Sequence, residues 1–302
     1  MKAYYKAMRL DRWPRSFAIF VGSAAFFFLN KDFLALGHVS HILAQAFFSF
    51  LLTWAISTAN YIINEIVDVP YDIHHPTKRF RPLVKGEINK YFFLSIGIVL
   101  SLSSLSLAFI FFSRAFFFSL LSLLLAGFIY NLRPIRTKDI PFLDSISESA
   151  NNPIRFFIGW YAFASLSNVP PLSLLLCWWA FGNFLMIAKR LSEFRLLREE
   201  ACKYRASLGK YSKNSLLIGM TVSALFFFIT YFYFAVTFKL QSLFLLSPFI
   251  LFFLLLIFRK TLQEKEVMEE PERLIKHPKF FIYTIFLFLC FLISFFIDKP
   301  GQ

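Results

Sequence analysis

Cysteine is scarce in this chain of 302 residues. Cys177 and Cys290 stand singly in apolar stretches and Cys202 in a polar one, so neither a disulfide framework nor a zinc cluster is indicated. Tandem repeats, low-complexity linkers and Gly-rich phosphate loops are missing. Charge is thin, at 17% of residues, and acids are outnumbered, with 18 Asp and Glu against 32 Lys and Arg. No polar stretch of domain size interrupts the apolar segments, which excludes a separate soluble domain.

The bulk of the chain is hydrocarbon. Hydrophobic residues make up 58% of it and Phe alone contributes 44. Windows of about 20 apolar residues place nine candidate spans near 16–37, 40–63, 91–112, 115–131, 142–166, 171–188, 215–237, 242–258 and 280–298. The expectation is an all-α, polytopic membrane protein forming one domain over residues 1–302. The basic residues 1–15 followed by an apolar stretch have the outline of a signal peptide. The apolar run from Phe17 continues to about Leu36, longer than a signal core, and reads as an uncleaved first span.

Charge placement fixes an orientation. With the N-terminus inside, segments 1–16, 64–90, 132–141, 189–214 and 259–279 hold 27 of the 32 Lys and Arg, whereas the opposite side holds only Lys31, Arg114, Lys239 and Lys299. Arg155 is intramembrane. This bias puts the N-terminus and the polar loops in the cytoplasm and the C-terminus opposite. The net charge of +14 is then a topology signal plus attraction to anionic membrane lipids or substrates, and gives no support to nucleic-acid binding.

Behind the second span lies Asn60-Tyr-Ile-Ile-Asn64-Glu65-Ile-Val-Asp68-Val-Pro70-Tyr-Asp72, then Lys78-Arg79-Phe-Arg81-Pro82. Asn64, Asp68 and Asp72 recur every four residues, so on a helix successive members rotate by about 40° and share a face. Three oxygen donors on one face suit Mg²⁺, which keeps part of its shell for water and substrate phosphate. A solvated helix end would carry such charges too, but the Lys/Arg run close behind supplies the cations that a metal-bound diphosphate needs. Pro70 biases Val69 away from helical geometry, so a kink is expected there, with Asp72 on the following loop.

Polar residues also run through the fifth span. Asp144, Glu148, Asn151, Asn152 and Arg155 fall on one helical stripe of about 16 Å. Such groups must face the protein interior or a wet cavity. They read either as hydrogen-bond glue between helices or as a polar cavity wall that Pro153 opens.

The first cluster resembles the first aspartate-rich motif of the UbiA superfamily of intramembrane prenyltransferases, N-D-x-x-D-x-x-x-D followed by R-P. Here it reads Asn64-Glu65-x-x-Asp68-x-x-x-Asp72, with Arg81-Pro82 downstream and Glu65 in place of the usual aspartate. The resemblance implies nine helices in a UbiA-like bundle, Mg²⁺ as cofactor, and metal ligands at Asn64, Glu65, Asp68 and Asp72. Tyr130-Asn131-Leu-Arg133-Pro134-Ile-Arg136-Thr-Lys138 is similar to a superfamily loop whose cations hold phosphate. The second motif is normally D-x-x-x-D. This chain has Lys189-Arg190-Leu-Ser-Glu193 instead, which would attract a phosphate directly rather than a second metal. That form, the 75–82 run and Glu270-Pro271-Glu272 look like the decaprenyl-phosphate phosphoribosyltransferase branch, whose members join phosphoribosyl diphosphate to a polyprenyl monophosphate.

Two reactions then share one centre. Asn64, Asp68 and Asp72 would hold the metal-bound diphosphate, and Lys78, Arg79 and Arg81 would neutralise it as it leaves. Arg133, Arg136, Lys138, Glu148, Asn151, Asn152 and Arg155 would line the substrate site. An anionic lipid phosphate needs no general base but does need a cationic seat, for which Lys189 and Arg190, steadied by Glu193, are the candidates. This favours phosphoribosyl transfer to a polyprenyl phosphate. The alternatives are prenyl transfer from a polyprenyl diphosphate to an aromatic or other lipophilic acceptor, and a transporter or flippase using Glu148 and Arg155 on a translocation path. The many Phe residues carry no cavity argument, because lipid-facing Phe is ordinary apolar surface. His74 and His75 fit a surface loop as well as a site.

Overall fold

The computed structural model describes residues 2–31, 33, 39–197, 200–263 and 277–298. Among these residues every regular element is helical. The chain divides into two compact units, one of residues 1–170 with 202–207, the other of 171–201 with 208–302.

The first unit holds α1 (Lys2–Ala7), a nine-residue 3₁₀ segment (Leu10–Ala18), α2 (Ile19–Leu29), α3 (Val39–Asp72), α4 (Lys90–Phe111), α5 (Arg114–Asn131), α6 (Leu143–Ser149) and α7 (Asn151–Tyr161). The 34-residue α3 is its spine, packed against α4 and α5, while α7 packs on α2 and α5. Starts are set by side-chain caps. Asn89 accepts from the amides of Tyr91 and Phe92 to begin α4, and Ser113 accepts from Phe116 N to begin α5. Near the polar end of α3, Ala7, Ile62, Leu83, Ile88 and Phe93 form a buried cluster that pins α1 and the 73–89 loop onto the spine.

Two glycines bring α2 and α7 together. A Cβ on Gly22 would run into the Phe156 carbonyl and one on Gly159 into the Ile19 carbonyl, so only glycine permits the backbone contact. Ser23 Oγ donates to Gly159 O across the crossing at 3.0 Å.

The second unit holds α8 (Leu172–Leu197), α9 (Lys213–Thr237), α10 (Gln241–Gln263) and α11 (Pro278–Ile297). Helix α8 packs along α9, and α10 touches α8, α9 and α11. A reciprocal Ser212–Ser215 capping box starts α9.

Six helices, α3, α4, α5, α8, α9 and α10, are long and apolar enough to cross a membrane. They correspond to six of the nine expected spans. Of the first, residues 16–18 close the 3₁₀ segment and 19–29 form α2, and the stretch after residue 33 lies outside the described residues. The fifth is split into α6 and α7 at Ala150, three residues before Pro153. Proline has no N–H to give Ser149 O and its ring crowds that carbonyl. Only Pro278–Phe291 of α11 counts as an apolar stretch among the described residues. Phe109, Phe111, Ile218 and Leu245 stand exposed on outward faces, as bilayer-facing side chains do.

One expectation is overturned. The helix does not stop at Pro70; α3 runs unbroken through it and Asp72 is its last residue. Pro70 lies two residues from the helix end, so it removes the one backbone bond to Ile66 O with little helix left beyond it to disrupt.

Candidate active site

Helix α3 carries its oxygen donors to its C-terminal end, and each carboxylate meets a cation from elsewhere in the first unit. Asp68 Oδ1 accepts from Lys138 Nζ and lies 3.4 Å from Arg136 Nη2. The same ammonium donates to Asn131 Oδ1 at 2.8 Å and reaches Asn64 Oδ1 at 3.5 Å. Arg81 bridges two acids, pairing with Asp72 Oδ2 and lying 3.3 Å from Glu65 Oε1, which also pairs with Arg9. The expected α3 ligands and the cations at 81, 136 and 138 therefore meet at one end of the helix.

The 132–142 loop turns its cations inward by a strained residue. Arg136 has φ of +32°, in the left-handed region unusual for a side-chain-bearing residue. Its guanidinium is fixed by Asp139 (2.8 Å), by Asn131 O (3.2 Å) and by the Tyr71 ring 4.5 Å away. Ser207 Oγ lies 3.0 Å from Lys138 O and 3.1 Å from Asp144 Oδ2, fastening the loop to the buried start of α6. Burial pushes the Lys138 ammonium down to about 8, with Asp68 pulling it back only in part.

The 73–89 loop is organised by His75, which is fully buried. Its Nδ1 accepts from the amides of Thr77 and Lys78, each at 3.3 Å, and its ring lies edge-on to Tyr204 at 4.7 Å. This sets Lys78, whose ammonium bonds Tyr204 Oη at 2.5 Å and sits 4.6 Å from that ring. Arg79 points the other way, exposed over Phe80.

A small cleft opens beside Asp68, lined by Asp68, Tyr71, Arg136, Lys138, Asp139, Tyr204 and Arg205. Tyr71, Asp139, Tyr204 and Arg205 are not evident as site residues in the sequence. Arg205 is held by Tyr130 Oη at 3.0 Å and stands 3.9 Å from Asp144 Oδ2, and Tyr130 in turn donates to Glu148 at 2.9 Å. Glu148 thus buttresses the cavity wall through Tyr130.

The remaining expected residues are dispersed. Arg133 is exposed, its Nη2 3.5 Å from Tyr71 Oη. Asn151 donates to Glu148 O at 2.9 Å, and Asn152 is half-buried beside it. Arg155 points to Ser57 on α3, at 3.5 Å. In the second unit Arg190 and Glu193 are fully buried and bonded at 2.6 Å within α8, with Lys189 half-buried next to them. Glu270-Pro271-Glu272 lies outside the described residues.

Among the described residues no three His, Cys, Asp or Glu side chains gather as a ready metal cage. The donor set nevertheless fits Mg²⁺. Asn64, Asp68 and Asp72 are hard oxygen donors on one helical face, and Asp72 Oδ1 is buried with no hydrogen-bond partner. A metal here would take two carboxylates and an amide, leaving substrate oxygens and water to complete its shell.

Apolar helices of membrane-crossing length, one of them ending at a cleft lined by charged and phenolic side chains, define a multi-pass membrane protein. Residues 24–285 match the family model described as the UbiA prenyltransferase family, and the chain belongs to that family. It is similar to the decaprenyl-phosphate phosphoribosyltransferase of Mycobacterium tuberculosis, 25% identical over 185 residues, 61% of this chain and 58% of that protein. The protein of the same name from Mycolicibacterium smegmatis is 24% identical over 221 residues, 72% of this chain and 65% of that one. The chain thus spans 58% and 65% of the lengths of these curated relatives. Among solved structures, a UbiA homolog from Archaeoglobus fulgidus bound to DMAPP and Mg²⁺ aligns with a TM-score of 0.70 and 16% identity over 98% of this chain and 99% of that one. That likeness is one of fold.

Proposed function

We propose that the protein is a Mg²⁺-dependent phosphoribosyltransferase, moving the phosphoribosyl group of phosphoribosyl diphosphate onto a polyprenyl monophosphate. The observation that carries this reading is the lining of the cavity: every side chain in it is charged or phenolic. Such walls suit a phosphorylated sugar, whose hydroxyls need acceptors such as Asp139 and whose phosphates need Arg136 and Arg205. A hydrocarbon chain would displace water from these charges and offer them no hydrogen bond in return. The curated relatives are named for this reaction.

In this mechanism Asn64, Asp68 and Asp72 hold the metal, with Glu65 held back by Arg9 and Arg81 as a supporting acid. Bound Mg²⁺ would neutralise the diphosphate and make it a better leaving group. Arg136, Lys138 and Arg205 orient the phosphates, Lys78 and Arg81 stand ready for the departing charge, and Tyr204 locks Lys78 in place. An oxygen of the lipid phosphate attacks the anomeric carbon as the bond from that carbon to the diphosphate oxygen breaks. The electron pair leaves with the diphosphate, and no proton has to move.

Prenyl transfer from a diphosphate is the second reading, favoured by the Archaeoglobus fulgidus homologs, which bind DMAPP or GPP with Mg²⁺. Purified protein in Mg²⁺ is offered phosphoribosyl diphosphate with polyprenyl phosphate in one tube, and polyprenyl diphosphate with aromatic acceptors in another. Turnover in the first tube alone is expected. Turnover in the second alone makes the protein a prenyltransferase, and flux across sealed vesicles without either product makes it a transporter.

A further inference from the structure

One stripe of α3 has a second character above the acids. Phe50, Trp54, Ser57 and Tyr61 follow i, i+4, i+7, i+11 and share a helical face. Arginines from two other elements come down on it. Arg15, on the 3₁₀ segment, places Nη1 3.5 Å from Tyr61 Oη. Arg155, on α7, places Nη2 3.5 Å from Ser57 Oγ. The glycine crossing of α2 and α7 is what allows the segment bearing Arg15 and the helix bearing Arg155 to approach the same stretch of α3. Trp54 Nε1, on that stripe, is a buried donor with no hydrogen-bond partner.

The stripe continues as an aromatic ladder. Phe50 lies 6.4 Å from Trp54, 6.0 Å from Phe20 and 5.1 Å from Phe17, and Phe17 lies 5.2 Å from Trp13. Its outer rungs, Trp13 and Phe17, are exposed by 43% and 46%, so the ladder opens outward. At 1.5 Å per residue, Tyr61 is about 10 Å along the axis from Asp68. A sugar diphosphate held at the acids can span that interval.

We propose that this juxtaposition is the seat of the anionic lipid substrate. Arg15 and Arg155, with the Tyr61 hydroxyl and the Trp54 N–H, hold the monophosphate of a polyprenyl phosphate, and the ladder from Trp54 to Trp13 carries its first isoprene units. The assignment rests on the phosphoribosyl-transfer reading and moves the lipid phosphate away from Lys189 and Arg190. It separates the substrates along α3, with the water-soluble one in the polar cavity and the lipid on the aromatic side. Guanidinium forks suit a phosphate better than an ammonium does, and aromatic faces suit isoprene double bonds.

The test is calorimetric binding of farnesyl phosphate to the full chain in detergent, with Mn²⁺–diphosphate binding measured in parallel. Arg15→Met and Arg155→Met should each weaken farnesyl phosphate by at least about tenfold, while Mn²⁺–diphosphate affinity stays within about twofold of wild type. Trp54→Phe keeps an aromatic face and removes the donor, and should cost about threefold. Arg15→Lys keeps the charge and should fall between wild type and Arg15→Met, so a folding failure of the methionine variants does not end the test. Farnesol, inorganic phosphate and vesicles of phosphatidic acid should bind the wild type far more weakly than farnesyl phosphate does. Unchanged farnesyl phosphate affinity in both methionine variants, an equal loss of diphosphate affinity, or equally tight phosphatidic acid would overturn the seat. So would a loss confined to Lys189→Met. Phosphoribosyl transfer with unchanged KM in the arginine variants would reject the seat and keep the reaction. Prenyl diphosphate turnover by a protein that binds no farnesyl phosphate would reject both.

Discussion

The ammonium of Lys138 donates to the carboxylate of Asp68, joining the 132–142 loop to the end of the long helix 70 positions earlier in the chain. Both side chains are buried, and Asn64 and Asn131 supply two further oxygens to the same ammonium. The negative charge of the candidate metal site is thereby balanced from within the protein.

Removing one partner of a buried pair strands the other. Lys138→Met leaves Asp68 with the more distant Arg136, at 3.4 Å, so the loss should lie at the low end of about 3–5 kcal/mol. The additional change Asp68→Asn should restore part of it. Thermal unfolding of the two variants in detergent checks this, and a single variant that melts with wild type would show that the pair contributes nothing.

Metal dependence should run through the same carboxylate. Asp68→Asn should lower turnover by about 100-fold or more while circular dichroism is unchanged, and excess chelator should abolish wild-type activity until Mg²⁺ is returned. Full activity in chelator would remove the metal from the account.

The contact of α2 with α7 makes a packing prediction. Gly22→Ala and Gly159→Ala each drive a methyl group into a backbone carbonyl, which should destabilise by about 1–3 kcal/mol. Gly97→Ala, where the new carbon meets only the Ile62 side chain at 3.2 Å, is the milder control. Melting temperatures ordered with Gly97→Ala lowest would contradict the crossing.

Sidedness is testable by labelling. His75 and Lys78 both contact Tyr204, so the 73–89 loop and the 202–207 segment must share one side of the membrane. Cysteines placed singly at exposed Phe80 and Lys203, in a chain otherwise free of cysteine, should react from the cytoplasm. Labelling from opposite sides would break the cavity apart.

The acid spacing at Asn64, Asp68 and Asp72 was legible in the sequence because a helix turns a four-residue repeat into one face. The inward turn of Arg136 and Lys138 was not, since their loop reads as ordinary cytoplasmic charge and depends on a left-handed residue. Tyr204 and Arg205 were hidden for a related reason. They lie in a stretch with several cations and no periodicity, and only tertiary packing carries them to the cavity. Arg15 likewise reads as topology charge until Tyr61 gives it a partner surface. Hydropathy windows found the six long helices and passed over the division before Pro153, because apolar sums do not register a lost backbone hydrogen bond.

On the proposed function, this site transfers a sugar phosphate and not a prenyl group. Phosphoribosyl diphosphate labelled with ¹⁴C in the ribose and ³²P in the β-phosphate, incubated with polyprenyl phosphate, Mg²⁺ and the purified protein, should send ¹⁴C into the lipid phase and leave ³²P in water as diphosphate. Both labels remaining in water, while a polyprenyl diphosphate donor is consumed under the same conditions, would contradict it.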